Sequence, residues 1–280
     1  ADICFLHNVT LFLHFTLWIP DAKIVSTKPE TERRLKIMTN YIREMSGKQY
    51  LKRLAENPTV IIPTGACEIY GPQLPMGSDL IAAKRIAELV AEKTGALIAP
   101  TIEAGESSAL ASFPCTFAMP RKILEDWLDF LVGKLIKDGA KNFVFITGHA
   151  GNVDTVNYIG KKYLNEHDIR LVQIDWWRFT NANGSDIFQY SGQMAHGHAS
   201  ECGTSVMLYL YPELVDMDEL SRVEPIPAGD FPDFIGFGRF TDRTPNGTIG
   251  DATVATREKG EKIVTRCVDR IAAYMEQNFR

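Results

Sequence analysis

The chain has 280 residues, of which 45% are hydrophobic and 23% are charged, and its formal net charge at pH 7 is −5. This composition is typical of a globular protein and excludes disordered, collagen-like and fibrous chains. Because Lys and Arg form no cluster or stripe, nucleic acid is not expected as a partner. The longest apolar run, 9–20, is too short to span a bilayer, so no membrane role is predicted.

Residues 1–37 differ from the rest of the chain, since an aromatic-rich stretch is followed by a polar run that ends just before Met38. If Arg33 and Arg34 were encoded by AGG codons, they would form a ribosome-binding sequence ahead of a natural start at Met38. Residues 1–37 are therefore either a non-native extension produced by a misplaced start or an ordinary N-terminal extension. Residues 38–280 are expected to form the functional domain.

From Met38 onward, short apolar runs alternate with stretches of helical periodicity, which is typical of a parallel sheet flanked by helices. No linker or internal repeat divides this array, so a single α/β domain with a mostly parallel sheet is predicted. The predicted strands are 59–63, 97–101, 143–147 and 171–175. The predicted helices are 40–55, 80–93, 121–137, 152–165, 201–211 and 257–277.

Two long stretches, 103–120 and 213–251, show neither pattern. Loops of this length in a compact domain are usually functional or take part in assembly. The second stretch holds several Phe residues among glycines. A packed aromatic surface or a subunit contact is favoured over a substrate pocket for it.

The cysteines show no pattern of covalent or metal pairing. They are five in number, are scattered along the chain and form no CxxC pair. Neither a disulfide framework nor a Cys-based zinc site is predicted, and a cytoplasmic location is expected.

Carboxylate and imidazole side chains follow the ends of several predicted strands. Glu68 and Asp79 bracket a Gly/Pro-rich loop after the first strand, and His149 follows the third. His198 and Glu201 come beyond the fourth strand, at the start of a helix. Because ligands bind beyond the carboxyl ends of parallel strands, these side chains are expected to converge. Carboxylates gathered in a cleft repel one another unless a cation lies between them, so a divalent metal is predicted.

Structural roles for the same residues remain open alternatives. Glu68 or Glu201 could cap a helix end, and Asp79 could be the N-cap of the helix 80–93. His149 could be a buried histidine whose hydrogen bonds are satisfied. Each alternative is credible for one residue, but their joint occurrence at strand ends favours a site.

Three segments of the chain carry a resemblance to a known family. Residues 65–79 have the sequence G-A-C-E-I-Y-G-P-Q-L-P-M-G-S-D, residues 147–152 have T-G-H-A-G-N, and residues 198–205 have H-A-S-E-C-G-T-S. These resemble, in order, the signatures G-[SA]-x-E-[QH]-H-G-P-H-L-P-x-x-x-D, N-G-H-G-G-N and H-A-G-E-x-E-T-S of the creatininase (creatinine amidohydrolase) family. The resemblance extends from about residue 39 to the C-terminus.

The resemblance implies a metal-dependent hydrolase that acts mostly on C–N bonds of cyclic or formyl amides and assembles as a hexamer or a smaller even oligomer. In two-metal members of the family, one ion is held by residues that correspond to Glu68, Asp79 and His149. The second ion is held by residues that correspond to Tyr70, Asp79 and Glu201. Zinc is the expected metal, with manganese or iron as alternatives.

The chain departs from the family pattern at the second ion. Tyr70 stands where the pattern has a histidine, and a neutral phenol is a poor ligand. One tightly bound ion per subunit is therefore expected rather than two. Gln73, Ala150 and Gly203 are further departures, and together they argue against creatinine itself as the substrate.

The chemistry implied is attack by metal-activated water on a small-molecule substrate. His198 is assigned as general acid or base, and Glu201 first as a ligand and then as a proton shuttle. The Tyr70 phenol either hydrogen-bonds a substrate oxygen or developing oxyanion, or simply packs against the turn at Gly71 and Pro72.

Three functions are compatible with these residues. The leading hypothesis is hydrolysis of a cyclic amide or formamide. The second is ring-opening C–C hydrolysis of a cyclic polyol ketone (an inosose) in inositol catabolism, since the resembling family includes such hydrolases. The third is a catalytically silent metal-binding assembly protein, which the retained site residues argue against.

Overall fold

The computed structural model describes residues 39–227, 229–230, 233–234 and 236–279. The predicted extension, 1–37, lies outside the described residues. None of the helices within the described part of the chain has the length and apolar character needed to cross a bilayer.

A parallel sheet forms the centre of the domain, as predicted. Its four strands are β1 (Thr59–Thr64), β2 (Leu97–Ile98), β3 (Asn142–Thr147) and β4 (Arg170–Asp175), and their spatial order is β2-β1-β3-β4. Every neighbouring pair is parallel. The register aligns the last residues of the three longer strands, so that their C-terminal ends form one edge.

Helices cover both faces of this sheet. They are α1 (Gly47–Glu56), α2 (Ser78–Thr94), α3 (Arg121–Asp138), α4 (Val153–Glu166), α5 (Trp176–Asn183), α6 (Gly192–His196), α7 (Glu201–Leu210) and α8 (Arg257–Asn278). A two-stranded antiparallel ribbon, β5 (Arg222–Val223) with β6 (Gly250–Asp251), lies outside the main sheet. The α/β class and the six predicted helices are confirmed, whereas α5, α6 and the ribbon were not predicted.

The first helix begins later than its periodicity predicts. The side chain of Ser46 accepts a hydrogen bond from the Gln49 backbone N–H, and the Gln49 side chain accepts one from the Ser46 N–H. This reciprocal capping box fixes the start of α1 at Gly47. The residues before it, Ile42–Glu44, form a single 3-10 turn.

The core has two layers because alternate residues of a strand face opposite sides of the sheet. Val60 and Ile62 pack with residues of α1, α3 and α4. Ile61 packs on the other side with residues of α2, α7 and α8. All six residues of β1 are buried, and burying each large aliphatic side chain contributes about 1.5–3 kcal/mol. The well-packed sheet therefore fixes the positions of the residues that follow its strands.

Candidate metal centre and active-site pocket

Two glycines bring the start of α2 against the ends of the central strands. A Cβ on Gly65, which follows β1, would lie 2.4 Å from the Leu80 backbone N and Cα. A Cβ on Gly148, which follows β3, would lie 2.1 Å from the Asp79 carbonyl oxygen. Only glycine permits this approach. The close packing holds Asp79, in the first turn of α2, at the C-terminal edge of the sheet.

At this edge the structure brings Glu68, Asp79 and His149 together. All three are buried, and one ligating atom of each lies within 4.8 Å of the others. The Nδ1 atom of His149 lies 2.8 Å from Asp79 Oδ2 and 3.3 Å from Glu68 Oε1. The interpretation of Asp79 as an N-cap does not fit, because α2 begins at Ser78 and its N-cap is Gly77.

The buried charges of this cluster depend on one another. Burial opposes ionisation of Glu68, but hydrogen bonds from His149 and His198 outweigh it and lower the pKa of Glu68 to about 2. Burial together with the nearby Glu68 charge raises the pKa of Asp79. Burial alone would lower the pKa of His149, yet its hydrogen bonds to Asp79 and Glu68 raise it well above the usual value. These shifts favour a protonated His149, whose Nδ1 atom lies between the Asp79 and Glu68 carboxylates.

A divalent cation fits this cluster better than a proton does. The Oε2 atom of Glu68 is buried and has no hydrogen-bond partner, which is costly unless a ligand completes it. Two carboxylates and one imidazole form a donor set typical of zinc, manganese or iron. A divalent ion would also balance the two negative charges. The residues present therefore suit the metal that the sequence predicts.

The backbone around His149 fixes which of its nitrogens faces the cluster. Its Nε2 atom donates to the carbonyl oxygen of Glu106, at 2.7 Å, so Nδ1 is the ligating atom. The buried side chain of Asn152 accepts from the Glu106 N–H at 3.0 Å and donates to the Gly65 carbonyl at 2.9 Å. Asn152 thus ties the loops after β1 and β2 together. Such outer contacts orient a metal-binding histidine.

His198 lies next to the cluster and is oriented by the backbone. Its Nδ1 atom lies 2.5 Å from the Gly247 carbonyl oxygen, and a carbonyl can only accept, so Nδ1 carries a proton. Its Nε2 atom lies 3.2 Å from Glu68 Oε1. The ring is packed between Tyr70, at 4.4 Å between centroids, and Phe240, at 5.1 Å.

Tyr70 is buried beside the carboxylates and is not part of the three-residue cluster. Burial, followed by the charges of Asp79 and Glu68, raises the pKa of its phenol well above 10, and a hydrogen-bonding interaction with Asp79 acts in the same direction. Its ring fills the space next to Gly203, whose missing Cβ would lie 3.4 Å from the ring. The phenol is therefore neutral and directed toward the Asp79 carboxylate.

The structure does not bring Glu201 to this cluster. Glu201 is fully buried, but Lys259 Nζ contacts its Oε1 at 2.5 Å. Backbone N–H groups of Gln189 and Tyr190 donate to its two oxygens at 2.8 and 3.2 Å. These contacts correct the prediction that Glu201 is a ligand and proton shuttle, because both oxygens are already engaged by other groups.

A cavity of about 480 Å³ opens above the cluster. Both irregular stretches contribute to its wall: Glu106 and Leu110 come from the first, and Phe240 and Arg243 from the second. The expectation that the second stretch is only a surface or subunit contact is therefore wrong for residues near Phe240. Glu106 has no signal in the sequence, because it contributes a backbone carbonyl, whereas Asn152 lies within the 147–152 motif.

The remaining wall is aromatic. Trp176, at the start of α5, lines the cavity and is buried, and its indole nitrogen has no hydrogen-bond partner. His196 also lines the cavity. Its Nδ1 atom lies 3.2 Å from Thr180 Oγ1, and burial lowers its pKa. His167, in contrast, is exposed and stacks on Tyr163. The walls can therefore hold a flat or apolar substrate against a polar floor.

The family model for creatinine amidohydrolase matches residues 43–275. A creatinine amidohydrolase from Pseudomonas putida is 31% identical over 257 residues, which is 85% of this chain and 97% of that protein. The chain belongs to the creatininase family. A crystal structure of creatininase superposes with a TM-score of 0.75 at 29% identity and covers 86% of this chain and 98% of the other. The family and its α/β fold, as predicted from three motifs, are confirmed.

Other relatives show how varied the chemistry on this fold is. A mycofactocin precursor peptide peptidase from Mycobacterium ulcerans is 29% identical, with 78% of this chain and 86% of that protein covered. A 3-dehydro-scyllo-inosose hydrolase from Thermotoga maritima is 25% identical, with 86% and 82% covered. Solved creatininases include a manganese form and a mutant of the Zn–Zn type, each with a TM-score of 0.74. The chain is therefore a hydrolase of a family whose members act on more than one substrate.

Proposed function

We propose that this hydrolase cleaves an amide C–N bond at a single divalent metal ion held by Glu68, Asp79 and His149. The observation that carries the proposal is the unpartnered, buried Glu68 Oε2 atom among three ligating groups at the floor of the cavity. A divalent cation bound there supplies Lewis-acid polarisation of a carbonyl and makes water more acidic. The substrate enters from the aromatic cavity above.

His198 is the residue that moves the proton. With Nδ1 donating to the Gly247 carbonyl, Nε2 is the nitrogen that gains and loses a proton: without a proton it can accept one from water, and with a proton it donates to Glu68. Glu68, 3.2 Å from Nε2, stabilises the imidazolium that results. The same Nε2 then donates the proton to the leaving nitrogen. Tyr70 and Phe240 hold the ring in place throughout.

A single ion per subunit is proposed because of what the described residues offer. Within them, one group of three ligating side chains is close enough to hold a metal, and it contains neither Tyr70 nor Glu201. Zinc is the ion we propose, with manganese or iron as alternatives that suit the same donors. Elemental analysis after dialysis tests this point, and two equivalents per subunit in the unmodified protein would refute it.

The substrate proposal is tested with purified protein of measured metal content. Cyclic amides, N-formyl compounds and short peptides are assayed before and after treatment with a chelator, and again after metal is restored. We expect hydrolysis of at least one amide class, its loss on chelation and its recovery on reloading. A protein that binds metal but hydrolyses none of these compounds, or inososes, would instead support the silent assembly protein.

Ring opening of an inosose remains the second candidate function. The relative from Thermotoga maritima, whose name is 3-dehydro-scyllo-inosose hydrolase, favours it at 25% identity. Including inososes in the same assay separates the two, since amides and cyclic polyol ketones share no scissile bond. Exclusive activity on the ketones would replace the amide proposal.

Three further proposals concern the protein as a whole. We propose that it is cytoplasmic, because its cysteines follow no disulfide pattern and the four within the described residues are free. We also propose an even homo-oligomer, a hexamer or smaller, which light scattering tests. Finally, residues 1–37 are proposed to be dispensable for folding. A chain that starts at Met38 and fails to fold would refute this.

A further inference from the structure

The cavity has one unusual charged residue, Arg243, at its rim. Among the described residues that line the cavity, Arg243 is the one lysine or arginine. It follows a 3-10 turn, Phe240–Asp242, and its backbone N–H donates to the Phe240 carbonyl at 3.0 Å. Its guanidinium carbon lies 5.6 Å from the centroid of the Phe240 ring. The side chain is exposed at the surface yet forms part of the cavity wall.

No carboxylate within the described part of the chain forms an ion pair with Arg243, whereas other arginines have such partners. Arg222 pairs with Asp251, and Arg266 pairs with Asp186. The neighbouring Asp242 is directed elsewhere, since its Oδ2 accepts the Arg239 backbone N–H at 3.1 Å. The guanidinium at the rim is therefore left with its charge uncompensated by a described side chain.

The acid groups of the cavity do not cancel this charge either. Glu68 and Asp79 are balanced by the divalent ion proposed above. Glu106 keeps its negative charge, but its Oε1 accepts the Ser108 backbone N–H at 3.2 Å, and within the described residues it forms no ion pair with Arg243. The Arg243 guanidinium therefore stays available at the rim, beside an aromatic surface, where it can attract an anion with an apolar body.

Arg243 also has a defined place relative to the reacting groups. Both contact the Phe240 ring: the Arg243 guanidinium carbon lies 5.6 Å from its centroid, and the His198 ring lies edge-on with centroids 5.1 Å apart. His198 in turn reaches Glu68. Arg243 and the cluster line the same cavity, so one ligand can contact both with its anionic group at Arg243 and its scissile bond at the cluster.

We propose that Arg243 determines specificity by binding a carboxylate of the substrate, so that the protein prefers acidic amides such as N-acylamino acids or short peptides with a free C-terminus. This inference rests on the proposed amide hydrolysis and narrows its substrate class. A guanidinium matches a carboxylate in charge and in planar geometry. The scissile amide then lies over the metal centre while the carboxylate remains at the rim.

The first test measures binding and needs no turnover. N-benzoylglycine and its uncharged counterpart N-benzoylglycinamide are titrated into the metal-loaded protein, and binding is followed by saturation-transfer NMR. We expect the acid to bind about tenfold more tightly than the amide, the usual value of one charge-assisted contact. Arg243→Gln should remove this preference, and Arg243→Lys should retain part of it.

Arg239→Gln is the matched control, since Arg239 is exposed on the same segment but does not line the cavity. It makes the same change in net charge and should leave the preference unchanged. If the acid is still preferred in Arg243→Gln, the metal centre holds the anion and the proposal is wrong. Equal binding of the two compounds to the unmodified protein, or no binding of either, also overturns it.

The second test uses any amide that the protein hydrolyses, prepared with a free and with an amidated carboxyl group. Arg243→Gln should raise KM about tenfold for the acid with little change in kcat, and should leave the amidated form unaffected. An equal loss for both forms would indicate a general defect and contradict the proposal. Absence of hydrolysis in the unmodified protein would count against the proposed function, whereas the binding preference tests Arg243 independently.

Discussion

Two buried carboxylate sites of this protein differ in how completely their oxygens are hydrogen-bonded. They are the Glu201–Lys259 pair and the metal cluster of Glu68, Asp79 and His149. Both oxygens of Glu201 have partners, since Lys259 and two backbone N–H groups contact them. Glu68 is equally buried, yet its Oε2 has no partner, and the nearby Asp79 adds a second negative charge. Burial of an acid therefore does not distinguish structure from function. A buried carboxylate oxygen without a hydrogen-bond partner is the feature that indicates a functional site.

The largest difference is expected when one side chain of each site is replaced. His149→Ala and Asp79→Ala should each strip the metal and reduce hydrolysis to background, because two donors cannot hold the ion. Glu201→Gln should keep its metal, since its side chain lies outside the ligand set. Metal per subunit and rate are measured on the same preparations. A metal-free Glu201→Gln protein, once shown to be folded, would return Glu201 to the ligands.

Replacing His198 tests whether it transfers protons beside the metal cluster or helps to hold the ion. His198→Ala should leave the metal bound but lower turnover by roughly 10²–10⁴-fold, the usual contribution of a positioned acid or base. The rate is compared at equal metal content. Full activity would exclude His198 as the proton carrier, and loss of metal would make it a ligand.

Changes at the Glu201–Lys259 pair should alter the free energy of unfolding rather than the rate of hydrolysis. Lys259→Met leaves the Glu201 carboxylate buried without its cation, which should lower the free energy of unfolding by about 3 kcal/mol. Urea unfolding measures the change. Lys262→Met, at an exposed position of the same helix, is the control and should have little effect. Equal stability of both variants would show that the buried ion pair is not needed.

Metal affinity should depend on pH because the ion competes with a proton on His149. The pKa of His149 lies well above its usual value because of Asp79 and Glu68, so at neutral pH the metal must displace this proton. Affinity should rise about tenfold for each pH unit until the pH exceeds the raised pKa. Competition with a chelator from pH 6 to 8 measures it. A plateau above about 6.5, the ordinary histidine value, would contradict the shift.

The smallest effect is expected at Tyr70. Tyr70→Phe removes only the hydroxyl that faces Asp79, so metal content should stay the same and turnover should fall by less than about tenfold, the worth of one hydrogen bond. The measurement compares kcat at saturating substrate. An unchanged kcat would support a packing role for this ring against its neighbours.

Several features of this arrangement could be predicted from the sequence. The strands after Thr59, Asn142 and Arg170 are short apolar runs, and parallel strands place the residues that follow them at one edge. This reasoning correctly brought Glu68, Asp79 and His149 together. The same reasoning failed for Glu201, because its partner Lys259 is distant in sequence and no local pattern links the two. The Glu106 carbonyl could not be predicted either, since a backbone group has no signature in the sequence.

The close contacts of Gly65 and Gly148 with α2 determine which parts of the pocket can be redesigned. Any side chain at either glycine would collide with backbone atoms of the helix, so the floor offers no freedom for directed evolution. Arg243, by contrast, is an exposed side chain of the cavity wall and belongs to an irregular stretch outside the main sheet. Mutant libraries at exposed wall positions such as this one should therefore change substrate preference with little loss of folded protein.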